Sequence, residues 1–242
     1  MTRSKLPTLI FIHYFGGNAG SWRWVGKRLS KQYNCVFLTL PGFGNSDPLH
    51  DISIRTMSEW IANEIRNLNA KNYILIGHSM GAKLALFTTF ILHDLLPEKI
   101  ILIAPSPPTR ENMSESDKER MLNHPNREEA EETVRRSIQK KIKKRKFQYA
   151  VDSQLEVDKD TWKWWLNDGM CNDITWAIKN LNIATYVVYS ANDPVITIDT
   201  IQQEVLPYLK EAKLISFGKS GHLIPIESSR KVSKVLKRFI KA

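Results

Sequence analysis

The chain has 242 residues, of which 42% are hydrophobic and 25% are charged, and it carries a formal net charge of +10. This composition is ordinary for a globular protein with one large domain. No stretch approaches the ~20 apolar residues that a membrane-spanning helix needs. The apolar run at residues 9–12 is also too short for the core of a signal peptide. We therefore predict a cytoplasmic protein without a membrane span.

Six short apolar runs predict the β-strands of the fold. The first is apolar without alternation, which is typical of a parallel strand that is buried on both faces. Helical stretches lie between the runs, among them residues 22–32, for which Ser21 is the expected N-cap, and residues 54–67. Strands joined by helical crossovers indicate an α/β fold with a six-stranded, mostly parallel, doubly wound sheet. The six runs are residues 8–13, 35–40, 72–76, 100–104, 185–190 and 213–217.

The segment between the fourth and fifth runs, about residues 106–182, has helical patterns but no strand. It is too long for a single connection between two strands, so we predict a helical cap inserted into a core made of residues 1–105 and 183–242. Four aromatic side chains of this segment either line an apolar pocket for a substrate or form the core of the cap itself. These residues are Phe147, Trp162, Trp164 and Trp165.

Residues 135–146 carry eight basic side chains and no acidic one, so most of the net charge of the chain lies in this run. Upstream, Asn126 and Glu129 have the spacing of a helix cap, and glutamates followed by basic residues suit the dipole of one helix. One interpretation is a solvated helix, and the other is a site for an acidic partner such as a carrier protein. Nucleic acid is not expected, because no aromatic residues interleave the run and no binding motif accompanies it. The residues assigned to the acidic partner are Arg135, Arg136, Lys140, Lys141, Lys143 and Lys144.

A GHSMG motif at residues 77–81 lies between a predicted strand and a stretch of helical composition. In a G-x-S-x-G turn of this kind, the serine sits at the apex of a sharp strand-to-helix connection and has a strained backbone. The flanking glycines, Gly77 and Gly81, are needed because a side chain there would strike the neighbouring strand or helix. We therefore predict a nucleophile elbow with Ser79 as the nucleophile.

A serine nucleophile needs a base and an acid that orients the base. His222 is the only one of the six histidines that follows the last predicted strand, in a glycine-containing loop that can carry its imidazole to Ser79. Asp193 follows the fifth strand, where its carboxylate can accept a hydrogen bond from the histidine, whereas Asp199 is better suited to start a helix. The order Ser79, Asp193, His222 is typical of a nucleophile elbow in an α/β fold.

Two backbone N–H groups are expected to stabilise an oxyanion beside the serine. Met80 is one donor, because its amide is unpaired at the start of the following helix. Phe15 is the other, since it lies in the HYFGG turn after the first strand. His13 and His78 are expected to brace these loops rather than to take part in catalysis.

Five segments carry a family resemblance: residues 11–17 (FIHYFGG), 41–46 (PGFGNS), 77–81 (GHSMG), 192–194 (NDP) and 221–222 (GH). Together they resemble the α/β-hydrolase superfamily over nearly the whole chain outside the cap. The resemblance implies the α/β-hydrolase fold and a Ser-His-Asp triad. Within the superfamily, the chain is similar to serine carboxylesterases, including pimeloyl carrier-protein methyl ester carboxylesterases. Tyr14 stands where relatives usually have a glycine. The first strand also comes too early to leave room for the antiparallel N-terminal pair found in many relatives.

A serine nucleophile with a histidine base attacks an acyl carbon, forms an acyl-enzyme and transfers the acyl group to water. We therefore predict a carboxylic ester hydrolase that acts without a cofactor on a small-molecule ester or thioester. Serine at the elbow argues against the haloalkane and epoxide members of the superfamily, which have aspartate there. Four alternatives remain: a thioesterase, a carrier-protein-linked methyl ester hydrolase, a carbon–carbon bond hydrolase and a ligand receptor. Cys35 and Cys171 do not have the spacing of a metal site, and a disulfide is not expected in a reducing compartment, so both are predicted to be packing residues.

Overall fold

The computed structural model describes residues 6–209 and 211–241 of the chain. Its strands are β1 (Thr8–Ile12), β2 (Cys35–Leu38), β3 (Tyr73–His78), β4 (Lys99–Ile103), β5 (Ala184–Tyr189) and β6 (Lys213–Ser216). They form one sheet in the order β2-β1-β3-β4-β5-β6, and every neighbouring pair is parallel. This confirms the predicted six-stranded α/β sheet.

The order of the strands reverses between β1 and β3, because β2 is added on one side of β1 and β3 on the other. In open parallel sheets, ligands bind beyond the carboxyl ends of the strands at such a reversal. Here the chain leaves β1 towards the HYFGG turn and leaves β3 towards Ser79. The topology therefore places these two motifs side by side at one edge of the sheet.

The helices are α1 (Arg23–Leu29), α2 (Ile54–Asn67), α3 (Met80–Ile91), α4 (Glu115–Leu122), α5 (Arg127–Ser137), α6 (Lys144–Leu155), α7 (Lys159–Trp164), α8 (Thr175–Ile178), α9 (Ile198–Thr200), α10 (Ile224–Glu227) and α11 (Ser229–Lys241). Two of them, α7 and α9, continue into wider helical turns, Trp165–Gly169 and Ile201–Val205. Within residues 6–209 and 211–241, no helix is both long and apolar enough to cross a membrane.

Alternate residues of each strand point to opposite faces of the sheet. Helices cover both faces and bury the apolar side chains there. On one face, Tyr73 and Leu75 of β3 pack in a cluster with residues of α2 and α3. On the other face, Ile74 and Ile76 pack with residues of α1 and α11. All four side chains are fully buried, so β3 needs apolar residues on both sides, as the continuous apolar run indicates.

The start of the first helix differs from the prediction of residues 22–32 with Ser21 as the N-cap, whereas α2 has its predicted bounds. A 3₁₀ turn (Ala19–Trp22) precedes α1, and the Asn18 side chain caps it by accepting a hydrogen bond from Gly20 N–H at 2.9 Å. Ser21 is the third residue of this capping box, and its Oγ accepts from Asn18 N–H at 3.2 Å. The prediction for Ser21 was wrong because an equally good cap residue lies three positions earlier.

Five helices, α4 to α8, and no strand lie between β4 and β5 in the described part of the chain. Three tryptophans of this insertion, Trp162, Trp164 and Trp165, belong to the same apolar cluster as one face of the sheet. The inserted helices therefore share a core with the sheet. The division into a core and a cap at residues 106–182 stays a prediction.

The basic run does not lie at the end of one helix. Residues 138–143 separate α5 from α6 and are not helical, although the Asn126 side chain caps α5 as predicted. Ile138 and Ile142 pack in a third apolar cluster, and the Glu227 carboxylate accepts hydrogen bonds from two N–H groups of the connection, at 3.0 and 2.9 Å. These contacts replace helical hydrogen bonds, so the prediction of a single dipole-matched helix was wrong.

Candidate active site

Ser79 is the single residue between β3 and α3. Its backbone has φ 53° and ψ −119°, a strained combination for a residue with a side chain. Backbone hydrogen bonds hold it there, among them those from Ser79 N–H to Ile103 O at 3.0 Å and from Ala82 N–H to Ser79 O at 2.8 Å. The neighbouring strand and the first helical turn therefore fix the direction of the serine side chain.

The two glycines of the motif lie against the backbone of neighbouring elements. A Cβ atom on Gly77 would lie 2.3 Å from Gly81 O, and one on Gly81 would lie 2.4 Å from His13 O, just after β1. Both distances are far below van der Waals contact, so a side chain at either position would push α3 away from the sheet. The prediction that a side chain at Gly77 or Gly81 would strike a neighbouring strand or helix is confirmed.

His222 joins Ser79 to Asp193 through two hydrogen bonds. Its Nε2 lies 2.9 Å from Ser79 Oγ, and its Nδ1 lies 3.0 Å from Asp193 Oδ2. Because a carboxylate only accepts, Nδ1 carries the proton, and Nε2 of the neutral ring can accept the proton of the serine hydroxyl. Each of the three residues is at most 6% exposed. The structure thus brings together the three side chains that sequence analysis selected.

The second carboxylate oxygen of Asp193 fixes its orientation. Oδ1 accepts hydrogen bonds from Val195 N–H at 2.8 Å and from Ile196 N–H at 3.0 Å, which leaves Oδ2 for the imidazole of His222. Asp199 lies on the exposed first turn of α9. Of the two carboxylates that the sequence offered, Asp193 is the one that contacts the histidine.

The loop that carries His222 is held from two sides. His222 N–H donates to Ser137 O at the end of α5 at 2.7 Å, and His222 O accepts a hydrogen bond from His78 Nε2 at 2.9 Å. Position 221 requires glycine, because a Cβ on Gly221 would lie 2.4 Å from the same Ser137 carbonyl oxygen. The inserted helices thus help to position His222, a contact that no motif in the sequence indicates.

The two buried histidines at this edge have opposite charge preferences. Burial lowers the pKa of His222, but the charge of Asp193 and the hydrogen bond to it, with smaller effects of Glu111 and Glu227, raise the pKa above 6.5. For His78, burial and the neighbouring His222 hold the pKa well below 6.5. A neutral His78 donates its Nε2–H to the His222 carbonyl, which agrees with a bracing role.

His13 connects the loops that follow β1 and β2. Its Nδ1–H donates to Tyr14 O at 2.8 Å, and its Nε2 accepts from Leu40 N–H at 3.1 Å. Burial lowers the pKa of His13 to about 4, although the hydrogen bond to Tyr14 opposes this change. Both ring nitrogens are engaged, so His13 braces the turn as expected.

The two expected oxyanion donors follow neighbouring strands. Met80 is the first residue of α3, where its N–H has no acceptor within the helix. Phe15 is the second residue of a turn that a hydrogen bond from Gly17 N–H to Tyr14 O closes at 3.0 Å. Phe15 and Ser79 line the same cavity. Their positions suit the donor role, which stays a prediction.

A cavity of about 480 Å³ lies over Ser79 and His222. Trp162 and Trp165 line it, whereas Trp164 and Phe147 are not among its described lining residues. Two of the four aromatic residues therefore line a pocket, as one interpretation predicts, and the other two pack elsewhere, as the other interpretation predicts.

Several polar residues of this cavity were not predicted from the sequence, because they come from an irregular segment and from helices that carry no motif. Among the described residues, no group of three His, Cys, Asp or Glu side chains could hold a metal ion. The polar and charged lining residues that were missed include Glu111, Asp117, Arg120, Thr133 and Gln154.

A parallel sheet with a serine at a strained strand-to-helix turn, a carboxylate after the fifth strand and a histidine after the sixth defines one class of fold, the α/β hydrolases. The sequence profile of the family described as "Alpha/beta hydrolase family" matches residues 9–235. The chain belongs to this family.

Two sequence relatives and one solved structure illustrate the similarity. A Haemophilus influenzae protein, whose name assigns it provisionally to the esterases and lipases, is 26% identical over 243 residues, covering 97% of this chain and 83% of that protein. The pimeloyl-[acyl-carrier protein] methyl ester esterase of Vibrio vulnificus is 32% identical over 107 residues, covering 44% of this chain and 40% of that protein. An esterase from Exiguobacterium antarcticum has the same fold, with a TM-score of 0.88 at 16% identity, covering 98% of this chain and 92% of that one.

Proposed function

We propose that the protein hydrolyses carboxylic esters of small molecules, with Ser79 as nucleophile, His222 as base and Asp193 as the group that orients the base. One observation carries the proposal: Ser79 Oγ lies 2.9 Å from His222 Nε2, and His222 Nδ1 lies 3.0 Å from Asp193 Oδ2. Both distances are within the range for general-base catalysis. Ser79 and His222 also line a cavity of about 480 Å³, a size suited to a small ester.

The reaction follows from this geometry. Ser79 Oγ attacks the acyl carbon while its proton passes to His222 Nε2, and Asp193 stabilises the imidazolium that forms. The N–H groups of Met80 and Phe15 donate to the oxyanion, where one such donor can contribute about 3 kcal/mol. His222 then protonates the leaving alcohol and leaves an acyl-enzyme. The same imidazole finally takes a proton from water, which attacks the acyl-enzyme and releases the acid.

The relatives and the cavity support an ester substrate. The relative that matches nearly the whole chain is named among esterases and lipases, and another is named as a methyl ester esterase. Phe15 packs against Trp162, with ring centroids 4.2 Å apart and the rings tilted by 33°, and both line the cavity with Trp165. This apolar surface next to Ser79 suits the hydrocarbon part of an ester.

Hydrolysis of p-nitrophenyl esters of increasing acyl chain length tests the proposal. We expect turnover of at least the short esters by the parent protein and loss of that turnover in Ser79→Ala. Cleavage of a vinylogous diketone without ester hydrolysis would favour a carbon–carbon bond hydrolase. Ligand binding without any turnover would favour a receptor.

A basic groove between α1, the start of α6 and α11 supports a second candidate, an acyl substrate linked to an acidic carrier protein. The groove collects eight basic side chains and one acidic side chain, Glu227. None of the eight forms an ion pair within 4.0 Å among the described residues. Unpaired cations in one place would attract an acidic surface. The basic residues are Lys27, Arg28, Lys31, Lys141, Lys143, Arg145, Lys146 and Lys237.

Two of the residues first assigned to the acidic partner are already paired. Arg135 lies 2.6 Å from Glu131, and Arg136 lies 2.8 Å from Glu132 and 2.9 Å from Asp117. Exposed pairs of this kind are weak, but they lower the free positive charge of α5. The surface that we propose for a carrier protein is therefore the basic groove rather than α5.

A further inference from the structure

Glu111 lies between β4 and α4 and lines the same cavity as Ser79 and His222. Its backbone is fixed, because Glu111 N–H donates to Met170 O at 2.8 Å. Lys83 of α3 fixes the backbone on both sides of this bond, because its Nζ donates to Thr109 O at 2.9 Å and to Met170 O at 3.2 Å. Glu111 therefore projects from a backbone that is tied to the helix behind the nucleophile.

The carboxyl group of Glu111 is buried, and one of its oxygens has no hydrogen-bonding partner among the described residues. The residue is 9% exposed, and its Oε2 is enclosed and forms no hydrogen bond with any of the described residues. A buried polar atom left unpaired costs about 1–3 kcal/mol, so such an atom calls for a ligand or a solvent partner. Burial raises the pKa of Glu111 above 4.5. The nearby Ser106 hydroxyl opposes the increase, although its Oγ also lies outside hydrogen-bonding geometry.

Neighbouring cations do not pair with this carboxylate. Glu111 forms no ion pair within 4.0 Å among the described residues, and the charge of Lys83 acts on it only from a greater distance. Arg120 and Arg136 line the same cavity, but they lie 3.6 and 2.9 Å from the carboxylate of Asp117. Of the two acidic residues described as lining this cavity, Glu111 is thus the one without a direct counter-ion.

The backbone of Glu111 is linked to the backbone of an aromatic residue that lines the same cavity. Trp165 lines the cavity, and its carbonyl oxygen accepts a hydrogen bond from Met170 N–H at 2.9 Å. Met170 therefore bonds through its N–H to Trp165 and through its carbonyl to Glu111. A carboxylate and an aromatic ring that line one cavity form a combination that binds ammonium groups.

We propose that Glu111 binds a cationic group of the substrate and makes the cavity selective for esters that carry an ammonium group. This inference rests on the ester hydrolysis proposed above. A cation supplies the counter-charge that the carboxylate lacks, whereas a neutral group of the same shape leaves the carboxylate unpaired. Sites that must satisfy a buried polar group discriminate strongly against ligands that cannot do so.

Two matched pairs of esters test the inference by hydrolysis. One pair is acetylcholine and its analogue with carbon in place of nitrogen, and the other is the p-nitrophenyl ester of trimethylammoniobutanoate and its carbon analogue. We expect the parent protein to prefer the cationic ester in at least one pair, by about tenfold to a hundredfold in kcat/KM. Glu111→Gln should lose this preference. Glu115→Gln, which removes the same charge from the exposed start of α4, is the control and should keep it.

Choline binding, measured by isothermal titration calorimetry, tests the same site without turnover. We expect choline to bind more weakly to Glu111→Gln than to the parent protein. Equal binding to both, or binding to neither, would contradict the inference even if no ester is hydrolysed.

The outcomes also separate this inference from the proposed function. Equal rates for both esters of each pair would overturn the inference and leave ester hydrolysis in place, whereas hydrolysis of no ester at all would contradict the proposed function. A third outcome is that Glu111→Gln keeps the preference for the cationic ester and has a lower melting temperature. That result would give Glu111 only a structural role, as a counter-charge for Lys83, and would overturn the inference as well.

Discussion

The edge of the sheet and the inserted segment supply two sides of one cavity, and they differ in how their acidic and basic side chains are paired. At the edge of the sheet, both carboxylate oxygens of Asp193 and both ring nitrogens of His222 have partners within 3.0 Å. On the inserted side, Glu111 Oε2 and Arg120 Nε are buried without a partner among the described residues. Paired groups are preorganised for one reaction, and unpaired ones can bind a ligand. We therefore assign the chemistry to the sheet and the choice of substrate to the insertion.

Ser79→Ala should have the largest effect, because it removes the reacting atom from the sheet side and leaves the inserted side intact. We expect ester hydrolysis to fall on the order of 10⁴-fold or more, with an unchanged melting temperature. Ser58→Ala, which removes another buried hydroxyl group from α2, is the control and should keep the parental rate. Near-parental activity in Ser79→Ala would contradict the assignment of Ser79 as the nucleophile.

Asp193→Asn tests the sheet side one step further from the reacting atom. The amide of asparagine can donate to Nδ1, which would move the ring proton to Nε2 and prevent the imidazole from accepting the proton of Ser79. We expect a loss on the order of 10⁴-fold in kcat. Asp199→Asn, on the exposed turn of α9, should cost no more than about 1 kcal/mol of stability and no activity. Inactivation by Asp199→Asn would instead exchange the two roles.

The pH dependence of hydrolysis connects the two sides, because Asp193 and Glu111 both raise the pKa of His222. Only the neutral imidazole accepts a proton, so kcat/KM for a neutral ester should rise with pH to a plateau, with a midpoint above 6.5. Below this midpoint the rate should fall about tenfold per pH unit. Glu111→Gln should move the midpoint to lower pH, since it removes a negative charge that favours the imidazolium. A midpoint that stays in place or moves upwards would show that Glu111 does not act on the histidine.

Neutralising the basic groove should have the smallest effect, because its residues do not line the cavity over Ser79. The triple variant Lys141→Gln, Lys143→Gln and Arg145→Gln should keep the parental kcat/KM for free esters. With a carrier-linked acyl substrate, we expect association to slow about tenfold at low salt and less at high salt.

A second triple variant is the control for total charge, because it removes three positive charges from exposed positions elsewhere in the insertion. It should behave like the parent protein with every substrate. Equal rates for the two triple variants with carrier-linked substrate, at low and high salt, would identify the basic groove as a solvated surface. The control substitutions are Lys159→Gln, Lys163→Gln and Lys179→Gln.

The sheet side could be predicted from the sequence because each of its residues has a fixed place relative to a strand. Ser79 follows the buried strand β3, Asp193 follows the largely buried strand β5, and His222 follows the mostly exposed edge strand β6. Parallel strands bring their carboxyl ends to one edge. The inserted side could not be predicted in this way. Glu111 and Arg120 belong to no motif, and their places depend on how the inserted helices pack against the sheet.

The basic run at residues 135–146 shows that the course of the backbone, too, cannot always be predicted from local patterns. Local spacing predicted one helix through residues 135–146, because the cap and the charge order agreed. The helix stops because Ile138 and Ile142 pack in a cluster with distant residues and because Glu227 of α10 binds the connection. Such contacts join parts of the chain that are far apart in sequence, where local patterns carry no signal.

The central claim, that His222 activates Ser79 for covalent attack, is tested most directly by mass spectrometry of the protein after reaction with a fluorophosphonate. We predict a single adduct, located on Ser79 by peptide mapping. It should be absent from Ser79→Ala and should form far more slowly in His222→Gln. An adduct on another residue, or ester hydrolysis by a protein whose Ser79 never reacts, would contradict the account.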